Sequence, residues 1–176
     1  VYFFDPNLFK VNELGFKKTA KFRAKFLIET VADLKKNLSN VNITLLTYFE
    51  NPETNIYKIC DAFSVNTIYT QKEWTKEETA TNKLIKKTLS KNVNFIEDYD
   101  QFLYHPEKVA KDFTKIPNLF TVFRKKIEKT VSIEKEISIS KLPDENLIKN
   151  TTDIPTLKEL GFEEFELNTH TAFPFS

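Results

Sequence analysis

The stretch that decides the fold is TIYTQKEWTKEETATNKLIKKTLSKNVNFIEDYD, residues 67–100. It begins with the β-rich run TIYTQ at 67–71 and ends with VNFIEDYD at 93–100, which carries another apolar run. Between them, residues 75–89 have the pattern of a helix. A strand, a helix and a further strand in this order predict two parallel strands joined by a crossover helix.

The same alternation continues toward the start of the chain. VYFF at 1–4 and ITLLTYF at 43–49 are apolar runs with the pattern of buried strands, each followed by turn residues. Apolar residues at helical spacing predict a helix over 20–38, and Pro52 suits the first turn of another that runs to about residue 63. The predicted fold class is therefore α/β, a three-layer parallel sheet with helices on both faces.

Tyr104 and His105 are predicted to end the fourth strand, where a lone histidine is more often a structural hydrogen-bonding residue than a base. Because they follow a strand, residues 98–104 are also a candidate place for a ligand.

After residue 105 the alternation stops. Residues 116–131 contain one short predicted helix, and residues 132–160 are polar and irregular, with two prolines. We therefore expect an α/β domain over 1–131, followed by a linker over 132–176.

Composition excludes several classes of function. The 176 residues carry a formal net charge of +1, so no strongly basic field is available to hold a nucleic-acid backbone unaided. Gly15 and Gly161 are the only glycines, which excludes the glycine-rich dinucleotide fingerprint and the P-loop. Cys60 is the only cysteine, so an internal disulfide is excluded and a reducing, cytoplasmic location is expected. The pattern predicts no catalytic set, no metal site and no membrane-spanning run.

Five blocks of sequence, in this order along the chain, resemble the DASH cryptochromes, a branch of the cryptochrome/photolyase family. They are FFDPNLF, GFKKTAKFRAKFLIETVADLKKNL, LYHPEKV, LFTVFRKKIE and AFPF. The resemblance implies a Rossmann-like N-terminal α/β domain that holds an antenna pigment, often methenyltetrahydrofolate. In the family this pigment passes light energy to FAD in a helical domain, which repairs pyrimidine dimers in DNA.

The resemblance also implies what this chain lacks. In the family a strand and a helix precede the segment that resembles residues 1–6, and the flavin domain follows the AFPF block. We therefore expect the first βα unit and the flavin domain to be absent, and the chain alone to have no catalytic activity. The expected partner is the flavin-binding domain, with DNA met only through it. Sheet edges left exposed by the absent strand would favour self-association.

The resemblance assigns the pigment contact to Glu77. A carboxylate can accept two neighbouring N–H groups of a pterin ring as a charge-assisted pair. Glu77 is equally explained as a solvated acid in the first turn of a helix, where the helix dipole favours it. Thr75 and Glu78 have the spacing of a capping box, which explains Glu78 without a ligand.

Four further residues are expected at the same crevice, because ligands of parallel sheets bind outside the carboxyl ends of the strands. Lys72 and Glu73 follow one strand, and Phe4 and Asp5 end another. Phe4 offers a ring for stacking, although core packing is the favoured interpretation, and Asp5 is expected to cap the turn before Pro6.

Two alternatives stay open at this stage. The chain is a stand-alone or degenerate α/β domain that binds no pigment, or it binds another small nucleotide-like ligand. Trp74 supports the pigment-free alternative, because the family usually has a smaller residue there and an indole would narrow the pocket. The low glycine content argues against a nucleotide, because close approach of backbone to phosphate usually needs glycine.

Overall fold

The computed structural model describes residues 1–133, 135–149 and 152–166. Its strands and helices, in chain order, are β1 (Tyr2–Phe3), α1 (Lys21–Asn40), β2 (Thr47–Tyr48), α2 (Pro52–Ala62), β3 (Thr67–Gln71), α3 (Lys76–Thr88), β4 (Asn94–Asp98), α4 (Pro106–Asp112) and α5 (Phe120–Thr130). Short 3₁₀ turns cover Pro6–Leu8 and Asp144–Asn146. The predicted α/β class is confirmed, and β3 has the predicted bounds.

The described strands form two parallel pairs instead of one continuous sheet. β1 pairs with β2, and β3 pairs with β4 in a register that places Gln71 opposite Asp98. The strand predicted over 43–49 is shorter than expected. Because β1 is only two residues long, it pairs with two residues of this run. The preceding Leu45 and Leu46 are buried, and the Leu46 carbonyl accepts a hydrogen bond from the Tyr2 backbone N–H at 2.8 Å.

The chain divides into two compact units, and the first contains Val1–Asn55 together with the described part of Ile139–Ser176. α1 faces the core of this unit through Ala24 and Val31, which are one heptad apart. The expected apolar face is only partly buried, since Phe22 and Phe26 are about half exposed. The buried core of this unit consists of Phe4, Phe9, Ala24, Val31, Leu45, Leu157 and Leu160.

Part of the segment predicted as a linker packs into this first unit. Leu157 and Leu160 belong to its core. Upstream, the Thr152 hydroxyl accepts a hydrogen bond from the Thr47 backbone N–H at 2.9 Å, and the Thr152 carbonyl accepts one from Lys35 Nζ at 2.8 Å. The domain boundary at residue 131 stays a prediction, and the AFPF block lies outside the described residues.

The second unit is Ile56–Ser138. α3 covers one face of the β3–β4 pair, where Lys86 forms an ion pair with Glu97 of β4. On β3 and β4, Tyr69 is 77% exposed and Ile96 is 42% exposed. Among the described residues, no helix packs over these two side chains, so the second helix layer that the sequence predicts is not seen on this face. α4 and α5 pack together through the stacked rings of Phe113 and Phe123, 5.3 Å apart.

The residues before α4 differ from the prediction. The fourth strand ends at Asp98, and Tyr104 and His105 lie beyond it. His105 is the N-cap of α4, and its Nδ1 accepts a hydrogen bond from the Glu107 backbone N–H at 3.3 Å. The predicted structural role of His105 as a hydrogen-bonding residue is confirmed, although it serves a helix and not a strand.

Candidate functional site

The candidate site lies at the carboxyl end of the β3–β4 pair, where the chain leaves β3 and enters α3. The backbone N–H of Lys72 donates to the Asp98 carbonyl at 2.7 Å, which continues the ladder one residue beyond β3. The Lys72 carbonyl in turn accepts a hydrogen bond from the Gln101 side-chain amide at 2.9 Å. The backbone of Lys72 is therefore held at both of its polar groups.

The side chains of Lys72 and Glu73 are both half-buried. Lys72 Nζ lies 4.5 Å from the centre of the Tyr99 ring. The Tyr99 side chain, chiefly as a hydrogen-bond partner, raises the pKa of Lys72 above its ordinary value. Glu73 Oε1 accepts a hydrogen bond from the Gln71 side-chain amide at 3.3 Å. The Lys72 cation therefore contacts Tyr99 and the Glu73 carboxylate contacts Gln71.

Glu77 lies in the first turn of α3 and its side chain is exposed. The predicted capping box is wrong. Thr75 occupies the N-cap position, but its side chain makes no capping hydrogen bond. The Thr75 carbonyl instead accepts from the backbone N–H and the hydroxyl of Thr79, at 3.1 and 2.7 Å. Glu78 therefore lacks the reciprocal capping role that the spacing indicated.

Trp74 belongs to an aromatic cluster formed by Trp74, Tyr99, Phe102 and His105. The indole stacks on the Tyr99 ring, with centres 5.3 Å apart and planes 26° apart, and meets the Phe102 ring edge-on at 5.9 Å. Tyr99 meets the His105 ring edge-on at 5.5 Å. Sequence reasoning did not assign a role to Tyr99, although it marked residues 98–104 as a strand end.

A cavity of about 350 Å³ opens on this end of the strand pair. Its lining residues come from both strands and from the turn after β4: Tyr69, Thr70, Gln71, Asp98, Tyr99 and Asp100. The aspartates supply hydrogen-bond acceptors, and Tyr99 connects the cavity to Lys72 and Trp74. Such a site suits a planar ligand with N–H donors along one edge.

Phe4 and Asp5 belong to the first unit and have structural contacts there. Phe4 is 1% exposed and meets the Tyr2 ring edge-on at 5.0 Å, so it offers no ring face to a ligand. Asp5 Oδ1 accepts from the Asn7 backbone N–H at 2.8 Å and caps the 3₁₀ turn, as predicted. Lys72 and Glu73 directly follow β3 and Glu77 lies in the first turn of α3, but none of these three predicted residues lines the cavity at this strand end.

Two further features bear on what this part of the chain can do. Among the described residues, no His, Cys, Asp and Glu side chains form a group suited to a metal ion, and no helix is long and apolar enough to cross a membrane. Cys60 is buried, and desolvation raises the pKa of its thiol, with the charge of Asp61 adding to the shift. Cys60 is therefore a packing residue at neutral pH.

Comparison with known proteins identifies relatives that match most of the chain. The family model described as DNA photolyase matches residues 1–144. A cryptochrome DASH from Gloeobacter violaceus is 33% identical over 93% of this chain, and a chloroplastic/mitochondrial cryptochrome DASH from Arabidopsis thaliana is 30% identical over 98% of it. The chain spans about a third of the length of these relatives, 33% and 31% respectively.

A solved structure gives the same result for the fold. The crystal structure of a Synechocystis cryptochrome superposes with a TM-score of 0.70, at 29% sequence identity, over 86% of this chain and 35% of that one.

Proposed function

This chain belongs to the DNA photolyase family, and from that premise we propose that it is the antenna-pigment domain of a DASH-type cryptochrome or photolyase. The observation that carries the proposal is the family match over residues 1–144, which includes the whole β3–α3 junction. In this proposal the chain absorbs light through a bound pigment and has no catalytic role. Dimer repair with FAD and blue light would belong to a flavin-binding domain.

The proposed pigment is methenyltetrahydrofolate, and the residues at the β3–α3 junction fit it chemically. Its pterin ring carries an amino group and a ring N–H side by side, which one carboxylate can accept together. Glu77 is the proposed acceptor, and Glu73 and Lys72 are proposed to contact the pigment from the strand end. When bound, the pigment supplies near-UV absorption, and the protein supplies position and exclusion of water.

The partners follow from the same proposal. The flavin-binding domain of a longer protein is proposed to cover exposed apolar side chains of the second unit, among them Ile116, Leu119 and Phe120, each about 70% exposed. DNA would be met through that domain only. Self-association through the strand edges is proposed for the chain on its own, and a cytoplasmic location is proposed from the single cysteine.

A near-UV absorption titration with methenyltetrahydrofolate tests the pigment proposal. We expect saturable binding to the chain and its loss in Glu77→Gln, which keeps the shape of the side chain and removes the charge. Glu78→Gln is the matched control, because it makes the same change one residue along the same helical turn and should bind as the unmodified chain does. Equal binding by both variants would exclude Glu77 as the contact. Absence of binding by the folded chain would support the pigment-free alternative.

A further inference from the structure

Trp74 is exposed and yet held in one orientation. The side chain is 57% exposed, but Tyr99 stacks against it and Phe102 meets it edge-on. Because an indole has two ring faces and one of them lies on Tyr99, the exposed part of the side chain includes an uncovered aromatic surface. A large aromatic side chain that is fixed in place and open to solvent is the arrangement that binding surfaces use.

The ring behind Trp74 is itself held in place. The Lys72 ammonium lies 4.5 Å from the centre of the Tyr99 ring, and the His105 ring meets Tyr99 edge-on. The two strand ends bring these residues together, because the ladder continues from β3 through the hydrogen bond from Lys72 to Asp98. The stack is therefore formed before any ligand arrives, which lowers the entropy cost of binding.

We infer that Trp74 is the surface on which the heteroaromatic ring of the pigment stacks, with the carboxylate of Glu77 holding the N–H edge of that ring. This inference rests on the proposed pigment site and adds a ligand contact that the family resemblance does not assign. Trp74 directly follows Glu73 in the short connection between β3 and α3, and Glu77 lies three residues later in the first turn of α3. Phe4, the aromatic residue first considered for stacking, is buried in the core of the first unit.

The chain contains one tryptophan, so its fluorescence reports this position alone. We titrate methenyltetrahydrofolate into the full 176-residue chain and follow both pigment absorption and tryptophan emission. Stacking predicts saturable quenching of Trp74 with the same midpoint as the absorption change. Stacking of a planar ring on an aromatic side chain is worth enough that Trp74→Ala should weaken binding roughly tenfold or more. Trp74→Phe keeps a ring at this position and should stay within about threefold of the unmodified chain.

The outcomes separate this inference from the proposed function. If Trp74→Ala binds the pigment as tightly as the unmodified chain, or more tightly, the indole covers the strand end or closes the crevice, and the inference is overturned. If that occurs while Glu77→Gln abolishes binding, the proposed pigment site stands and only the stacking role fails. If the folded chain gives neither quenching nor an absorption change, both fail. Far-UV circular dichroism of each variant, matched to that of the unmodified chain, excludes loss of folding as the cause.

Discussion

Replacing Leu160 with alanine tests whether residues 139–166 are part of the first unit or a linker beside it. Leu160 is 2% exposed and packs in the buried cluster with Phe4, Phe9 and Leu157. Truncation removes the transfer free energy of the lost methyl groups and leaves a cavity that the neighbours fill only in part. Buried leucines of this kind cost about 2–5 kcal/mol of unfolding free energy when they are replaced by alanine.

Leu147 provides the matched control, because it lies in the same C-terminal segment and is 45% exposed. Leu147→Ala should change the unfolding free energy by no more than about 0.5 kcal/mol. The assay is urea unfolding followed by far-UV circular dichroism, in which the long helix α1 reports the first unit. With a urea dependence of roughly 2 kcal/mol per M, a loss of about 3 kcal/mol lowers the midpoint by about 1.5 M.

Two results would refute the reasoning. If Leu160→Ala and Leu147→Ala shift the midpoint equally little, the segment does not contribute to the core, and the sequence-based linker over 132–176 is the better description. If Leu160→Ala changes the slope of the transition and not its midpoint, the variant has altered the unfolded chain or the cooperativity, and the core assignment is not supported.

Three other predictions concern the second unit. The hydrogen bond from Lys86 lowers the pKa of Glu97 in the folded state. This pair therefore stabilises the fold at pH values above the ordinary glutamate pKa of 4.5, and the stabilisation is lost as the pH falls through the lowered pKa. Lys86→Gln should flatten that part of a stability–pH profile, by up to about 1 kcal/mol. Cys60 should react slowly with a thiol-directed dye in the folded chain and rapidly in urea, whereas fast labelling without urea would contradict its burial. Tyr69→Lys, which places a charge on the exposed strand β3, should reduce any concentration-dependent dimer seen by sedimentation, and unchanged association would place the contact elsewhere.

Patterns of neighbouring residues in the sequence are enough to predict some of the strands and helices. TIYTQ is rich in residues that favour strands, and β3 has the predicted bounds. The missed helix α4 also has a local signal, because His105 is followed by proline at the first helical position and by Glu107 in the first turn. The strand prediction for this region continued too far because the aromatic residues after Asp98 were assigned to it.

The sequence pattern did not predict contacts between residues that are far apart in the chain. Leu157 and Leu160 were assigned to a linker because residues 132–160 are polar and irregular as a whole. The end of this segment and the residues just after it do carry a short apolar pattern, whose members pack in or against the core of the first unit: Ile154, Leu157, Leu160, Phe162 and Phe165. The length of β2 is decided by β1, a segment more than forty residues earlier. Among the residues that the structure describes, α3 covers one face of the β3–β4 pair and the other face stays open. This also depends on packing, because the alternation of strands and helices predicts crossover helices but not how completely each face is covered.

The candidate site shows the same division between local and long-range information. The sequence placed Lys72 and Glu73 at a strand end, and the family resemblance assigned the pigment contact to Glu77. Trp74 was treated as an obstacle because the sequence contained no information on the neighbouring strand. The register that pairs Gln71 with Asp98 places the residues that follow each strand side by side, Lys72 beside Tyr99. Since successive residues of a strand point to opposite faces, a register slip of one residue would send Tyr99 to the other face and remove the ring beneath the indole. The pairing of β3 with β4 therefore decides whether Trp74 has an aromatic partner at this strand end.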